Sequence, residues 1–321
     1  MVITNKIDTI GMSHTMDTTN KTKRRDKMDI VNTTRRKKSD QLKILESLNS
    51  RTHLAHAQQQ YMINLQKGFE GEALFDKLIQ NYLGTDRECL QDRLITYNGS
   101  TAQIDALILI GNTLNLYEVK NYEGEHQQLS GHFRRLKGQE FICPSVQLSR
   151  TEKVLKQVLN QWTETVDIHS YVIFVNPAFT LFDARMSDPF ILPTQIKKHF
   201  EKLKNDQTQS SKECIRLVNK LQSESRSGEK YRGTPQNYAY EDMRKGLICS
   251  NCHSFNLKLT QRQAFCRDCG AQYKNDTLLL HHIDELTLLF PETKLTTALV
   301  YDWIDGKLIK RRIGRLLQNL S

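Results

Sequence analysis

The sequence predicts a mixed α/β layer fold followed by a small cysteine module and a helical tail. Three observations carry this reading. From Tyr61 to about Phe200, helical and strand patterns follow one another in the order helix, strand, strand, strand, helix, strand. Cys249, Cys252, Cys266 and Cys269 then fall in two close pairs. The end of the chain holds two short apolar faces separated by Asp305-Gly306.

Taken in order, residues 1–50 read as a polar, basic arm, disordered or partly helical. Its cations cluster at Lys21, Lys23, Arg24 and Arg25 and again at Arg35, Arg36, Lys37 and Lys38. Such an arm fits either phosphate contact or a solvated tail. Residues 51–200 form the α/β unit. Its first helix carries Phe69, Ala73, Leu74, Leu78, Ile79 and Tyr82 and ends at Gly84. A strand at Arg93 to Tyr97 leads to two apolar runs, Ile104–Ile110 and Leu114–Lys120, around Gly111-Asn112-Thr113, a hairpin signal. A second helix covers Val146 to Trp162, and Tyr171–Val175 is a buried strand stopped by Asn176-Pro177. Residues 201–244 read as a linker with a short helix near Cys214 to Leu221, 245–280 as the cysteine module and 281–321 as the helical tail.

The whole chain of 321 residues carries 46 Lys+Arg against 36 Asp+Glu, a formal net charge of +10 with a pI near 9.2. That balance favours an anionic partner, nucleic acid before membrane surface. No run of apolar residues reaches membrane-spanning length, and the N-terminus has no apolar signal core. Seven cysteines with four in tight pairs suit a reducing compartment better than a disulfide framework. The expected location is the cytoplasm, with no membrane association. Oligomeric state is not legible.

The hairpin holds the chemistry. A two-residue turn at Gly111-Asn112 sets Asp105 opposite Glu118, and alternation puts Lys120 on the same face. Two facing carboxylates repel unless positive charge lies between them, and a divalent cation with a lysine supplies it. The same spacing also fits a solvated hairpin face. The unbroken apolar run Ala106–Ile110 argues for a strand buried on both sides, where charges need pairing or a metal.

These residues, with Gly68-Phe69-Glu70-Gly71-Glu72, Gln103-Ile104-Asp105, Glu118-Val119-Lys120-Asn121-Tyr122-Glu123-Gly124 and Pro144-Ser145-Val146-Gln147, resemble the NERD (nuclease-related) domain of the PD-(D/E)xK nuclease superfamily. The likeness covers about residues 65–180. Ile104 stands where the superfamily motif has proline, as the NERD pattern allows. The resemblance implies a restriction-endonuclease-like αβββαβ core with a mixed sheet. It implies Asp105 and Glu118 as ligands of Mg²⁺ or Mn²⁺, with the Val119 carbonyl completing the set. Lys120 would hold or polarise the attacking water and stabilise charge on the phosphate. Glu72 would support the metal from the first helix, Gln147 would orient groups from the second, and Gln103 would share the strand face of Asp105. For Glu72 a surface acid is the alternative reading, for Gln147 a capping residue, and for Asn121-Tyr122 a packing role.

Cys249, Cys252, Cys266 and Cys269 form CxxC-x13-CxxC, which matches four thiolates on a structural Zn²⁺. With the alternating segment Phe255 to Phe265 the module resembles a zinc ribbon. Behind it, Thr297–Trp303 and Ile309–Leu320 read as a helix–turn–helix-like pair. Lys307, Lys310, Arg311, Arg312 and Arg315 form a basic surface for nucleic acid, or a solvated face on a packed hairpin. The function expected is a metal-dependent nuclease that hydrolyses phosphodiester bonds, in DNA first, by metal-activated water. The alternative is a catalytically inactive DNA-binding, scaffold or regulatory protein working through the ribbon and tail.

Overall fold

A computed structural model describes residues 36–84, 87–136, 138–162, 166–206, 208–227 and 238–320. The basic positions from Lys21 to Arg35 lie outside the described residues, as does the part of the linker from 228 to 237.

Helix α1 (Asp40–Arg51) starts at Ser39, whose Oγ accepts the Leu42 N–H at 3.3 Å. Asp40 at its start and Arg51 at its end complement the helix dipole. Its Leu42, Leu45 and Leu48 are buried at three-residue spacing, so residues 40–50 of the segment read as a basic arm lie in a packed helix. The long helix α2 (His56–Leu83) ends at Gly84, whose φ of 77° suits a residue without Cβ.

Strands β1 (Cys89–Tyr97), β2 (Ser100–Ile110) and β3 (Thr113–Lys120) form an antiparallel meander. Its second turn is at Gly111 (φ 55°) and Asn112. The predicted register holds from Ile110–Thr113 to Ala106–Tyr117, and the ladder stops before the expected Asp105–Glu118 pair. Before the second main helix the chain makes a small antiparallel sheet that the periodicity did not show. It consists of β4 (Gly124–Gln128), β5 (His132–Arg135) and β6 (Glu140–Ile142), and β8 (Phe179–Phe182) joins it later, parallel to β4. Helix α3 (Pro144–Gln161) opens on a proline at N1, where the missing N–H is not needed. Strand β7 (Asp167–Phe174) returns parallel to β3, and β9 (Phe190–Ile191) extends the sheet. Helices α4 (Ile196–Asn205) and α5 (Lys212–Glu224) follow, and β10 (Arg226–Ser227) closes the edge beside β1. The main sheet thus runs β10-β1-β2-β3-β7-β9 and is mixed.

Helices cover both faces of this sheet. Phe75 and Ile79 of α2 with Phe200 of α4 pack on Ala106, Ile108 and Ile110. Leu155 of α3 and Leu217 of α5 pack on Leu107 and Leu109. This explains the continuous apolar run of β2: all residues from Ile104 to Ile110 are buried.

The C-terminal half has its own core. A three-stranded sheet, β11 (Leu257–Leu259), β12 (Gln263–Cys266) and β13 (Gln272–Lys274), carries the cysteine pairs. Helix α6 (Asn275–Leu289), which the sequence reading did not separate from the ribbon and tail, follows at once. Then come α7 (Thr297–Trp303) and α8 (Lys310–Gln318), with the turn at Asp305 and Gly306, both at positive φ. Leu45 and Leu48 of α1 pack here with Leu279, Ile283, Trp303 and Ile313.

Candidate active site and cysteine centre

Asp105 is buried at the point where regularity in the sheet breaks. The β1–β2 register passes from Gln91–Ala106 to Arg93–Ile104 with no pair at Asp92–Asp105, and Asp92 has a φ of 49°. Alternation slips there as well. Ile104 joins Leu107 and Leu109 on one side, whereas Ala106 joins Ile108 and Ile110 on the other. On the β3 side the ladder ends at Ala106–Tyr117, and beyond it the Asp105 carboxylate accepts the Val119 N–H at 2.9 Å. A side chain thus replaces a ladder bond, leaving a fork between β2 and β3 with the carboxylate at its base.

Glu118, 2% exposed, sits one residue before Val119 and holds Lys120 Nζ at 2.6 Å. Lys120 Nζ also donates to Gln147 Oε1 at 3.1 Å, so the first turn of α3 reaches the hairpin end. Burial alone would lower the Lys120 pKa. Glu118, with Tyr122 and Asp105, outweighs burial and raises it, which places Lys120 within the field of both carboxylates. The structure therefore brings Asp105, Glu118, Val119, Lys120 and Gln147 together. Gln103 is bonded instead to Asp92 of β1, its Nε2 donating to Oδ1 at 2.7 Å. The slip at Asp105 removes the shared face that simple alternation predicts.

Glu72 is buried on α2 and bonds Arg36 Nη1 at 3.0 Å. Among the described residues no set of three carboxylates or imidazoles converges as closely as the four thiols do. Asp105 and Glu118 still offer hard oxygen donors at one end of a hairpin, a donor chemistry that fits Mg²⁺ or Mn²⁺. Three residues at this site escaped the sequence reading: Arg36, Asp76 and Asp92. Glu72 and Asp76 are four apart and share a helix face, which was the available signal. Nothing in the sequence marked Arg36 among its basic neighbours.

The helix carrying Glu72 is seated by Gly71. A Cβ at Gly71 would lie 2.5 Å from the Asn121 Cβ, just beyond Lys120. Asn121 in turn donates to the Lys67 carbonyl at 2.9 Å and accepts from Asn176 at 3.1 Å, so it packs the strand end. Gly71→Ala is expected to cost about 1–3 kcal/mol by overpacking, against about 1 kcal/mol gained in helix propensity. Gly68→Ala, with nothing within 4 Å of its Cβ, keeps the gain without the clash. Urea unfolding of the two variants checks this. Equal midpoints would refute the close-approach account.

In the C-terminal module the sulfurs of Cys249, Cys252, Cys266 and Cys269 all lie within 4.8 Å of one another. Cys249–Cys269 and Cys252–Cys266 are 3.6 and 3.5 Å apart. Ligands 2.3 Å from a tetrahedral Zn²⁺ stand about 3.8 Å from each other. The cluster is therefore compatible with a zinc ribbon. On α8, Arg312 and Arg315 both bond Asp276 at 3.1 Å, and Arg312 also reaches the Gln261 carbonyl. Lys310 lies over the Tyr301 ring at 4.8 Å, and Lys307 pairs with Asp305 at 3.2 Å. Lys307, Lys310 and Arg311 are exposed.

Fold and site together define a mixed α/β domain with two buried carboxylates and a lysine gathered at the open end of a central hairpin. Residues 67–175 match the family model of the nuclease-related domain, NERD. The matched stretch runs from the middle of α2 to the end of β7, about a third of the chain, and its similarity indicates a nuclease-related function for that segment. No curated protein and no solved structure gives a significant match to the chain. No helix among the described residues is long and apolar enough to cross a membrane.

Proposed function

We propose that this chain is a Mg²⁺- or Mn²⁺-dependent nuclease that hydrolyses phosphodiester bonds, most readily in DNA. The observation that carries this reading is Lys120, held between Glu118 and Gln147 beside the Asp105 fork, inside the span matching the nuclease-related domain. Asp105, Glu118 and the Val119 carbonyl would hold the cation, which supplies Lewis-acid activation of water and neutralises charge at the phosphate. Lys120 presents a fixed positive charge where negative charge develops on the scissile phosphate. Gln147 orients the Lys120 ammonium and is itself fixed by the first turn of α3. Glu72 supports the cation site from α2. The cysteine cluster takes a structural Zn²⁺, and Lys307, Lys310 and Arg311 offer phosphate contacts beside it.

The test is cleavage of labelled single- and double-stranded DNA with Mg²⁺ or Mn²⁺. Asp105→Ala and Lys120→Ala are each expected to lower the rate by about 10²–10³-fold while circular dichroism stays native. Equal cutting by wild type and both variants, or no cutting at all, would defeat the reading. A DNA-binding or scaffold role would then take its place.

A further inference from the structure

We propose that Arg36 is a positioning residue of the cation site, one that ties α2 to the strand break at Asp105. This rests on the nuclease reading given above. The Arg36 side chain is only 4% exposed although it belongs to a run of basic residues that reads as a surface arm. Its guanidinium is used on every side. Nε and Nη2 take the two Asp76 carboxylate oxygens at 2.9 and 3.1 Å, Nη1 takes Glu72 at 3.0 Å, and Nη2 also donates to the Asp105 carbonyl at 3.1 Å. Asp76 accepts a further bond from Gln91 of β1 at 2.9 Å.

These contacts meet a need set by the sheet. The carbonyl of buried Asp105 takes its Arg36 bond where the β1–β2 ladder is interrupted between Gln91–Ala106 and Arg93–Ile104. Glu72 and Asp76, one helical turn apart, repel each other. A planar guanidinium answers both needs, which an ammonium cannot do with the same fork geometry. Arg36 thereby fixes where the Asp105 backbone stands relative to Glu72.

The opposite role, a cation that competes with the metal, is disfavoured by charge. Glu72 and Asp76 pair with Arg36 and Asp92 adds to the acidic field around it, so its charge is locally compensated. Helix α1 supplies the anchorage: Arg36 precedes it, and its last residue, Arg51, is buried in the C-terminal core.

Partners that orient metal ligands typically change affinity or activity by about 10–100-fold. The experiment is calorimetric titration of Mn²⁺ alone into full-length wild type, Arg36→Gln, Arg36→Lys and Asp105→Ala. Cleavage assays beside it separate the Mn²⁺ half-saturation from the KM for DNA. Arg36→Gln is expected to weaken Mn²⁺ binding about 10–100-fold and raise the Mn²⁺ half-saturation without changing KM for DNA. Arg36→Lys should fall between it and wild type, and it decides the question if the glutamine variant does not fold. Wild-type Mn²⁺ affinity in a folded Arg36 variant, with Asp105→Ala abolishing binding, would overturn the role of Arg36 and leave the nuclease reading standing. Tighter Mn²⁺ binding would overturn it too, since it would mark Arg36 as a competitor of the cation. Unchanged Mn²⁺ binding in Asp105→Ala would remove the cation site and this proposal with it.

Discussion

Replacing Arg51 or Glu285 with alanine is expected to cost the folded state about 3–5 kcal/mol, the range seen when one partner of a buried ion pair is deleted. Arg51 ends α1, and its side chain is fully buried in the C-terminal core. Its Nε and Nη2 meet the Glu285 oxygens of α6 at 2.9 and 2.7 Å. Nη1 and Nη2 also donate to the Arg244 and Gly246 carbonyls, and the guanidinium lies 4.0 Å above the Trp303 ring. Glu285 Oε2 further accepts the Trp303 indole N–H at 3.2 Å and meets His282 Nδ1 at 2.9 Å. His282 Nε2 lies 3.0 Å from the Ile248 nitrogen and 3.2 Å from its carbonyl oxygen, which pins the ring against the 246–249 segment. Deleting either charge strands the other without water.

The same network sets a pH dependence. Burial alone would raise the Glu285 pKa, but His282 and Arg51 outweigh it and hold that pKa well below the ordinary carboxylate range. A depressed folded pKa means the stabilisation is complete above the unfolded value near 4.3 and declines as pH falls through the folded value. On acidification the unfolded chain takes up this proton first. Urea midpoints from pH 7 down to pH 3 are therefore expected to fall less steeply in Glu285→Gln than in wild type. Parallel slopes in the two proteins would contradict the assignment.

The regularly patterned parts of the fold were legible in the sequence. Gly111-Asn112 fixed the hairpin register, and with it the pairing that brings Asp105 beside β3, because a two-residue turn leaves no freedom in pairing. Lys120 followed from alternation on the same hairpin, Gln147 came through the family resemblance, and the structure brings the two within hydrogen-bond distance. What could not be read depends on exceptions to period. Gln103 was expected beside Asp105, but its amide bonds Asp92, whose φ of 49° no periodicity reports. The sheet of β4, β5 and β6 was missed because its strands are only three to five residues long and rich in His, Gln, Arg and Glu. Helix α6 buries Asn275, His282 and Glu285 among its leucines and leaves Leu280 and Leu288 only half-buried, so it gave no clean amphipathic stripe to separate it from its neighbours. Arg36 and Arg51 are buried arginines more than thirty residues from their acidic partners in sequence, and one-dimensional patterns treat such residues as surface.

Stripping metal from the cysteine centre is expected to unfold the ribbon while the nuclease-related domain stays folded. The three strands β11, β12 and β13 are three or four residues long, and within them Ala264 and Cys266 are the buried side chains. So little apolar burial cannot offset the chain entropy of ordering the segment, whereas structural Zn²⁺ contributes about 10–16 kcal/mol in comparable small sites. The consequence does not stop at the ribbon. Cys249 follows Ile248, whose N–H is held by His282, and the Gly246 carbonyl is an acceptor of Arg51. Loss of the first knuckle therefore loosens the acceptors that seat the end of α1, whereas the β1–β3 sheet has its own separate core. Chelation should split one thermal transition into two and raise amide exchange first in residues 246–274, then in α1, with β2 and β3 still protected. Cys252→Ser should reproduce this without chelator. Protein purified without zinc by elemental analysis, melting identically with and without chelator, would show that the thiols do not carry a structural metal.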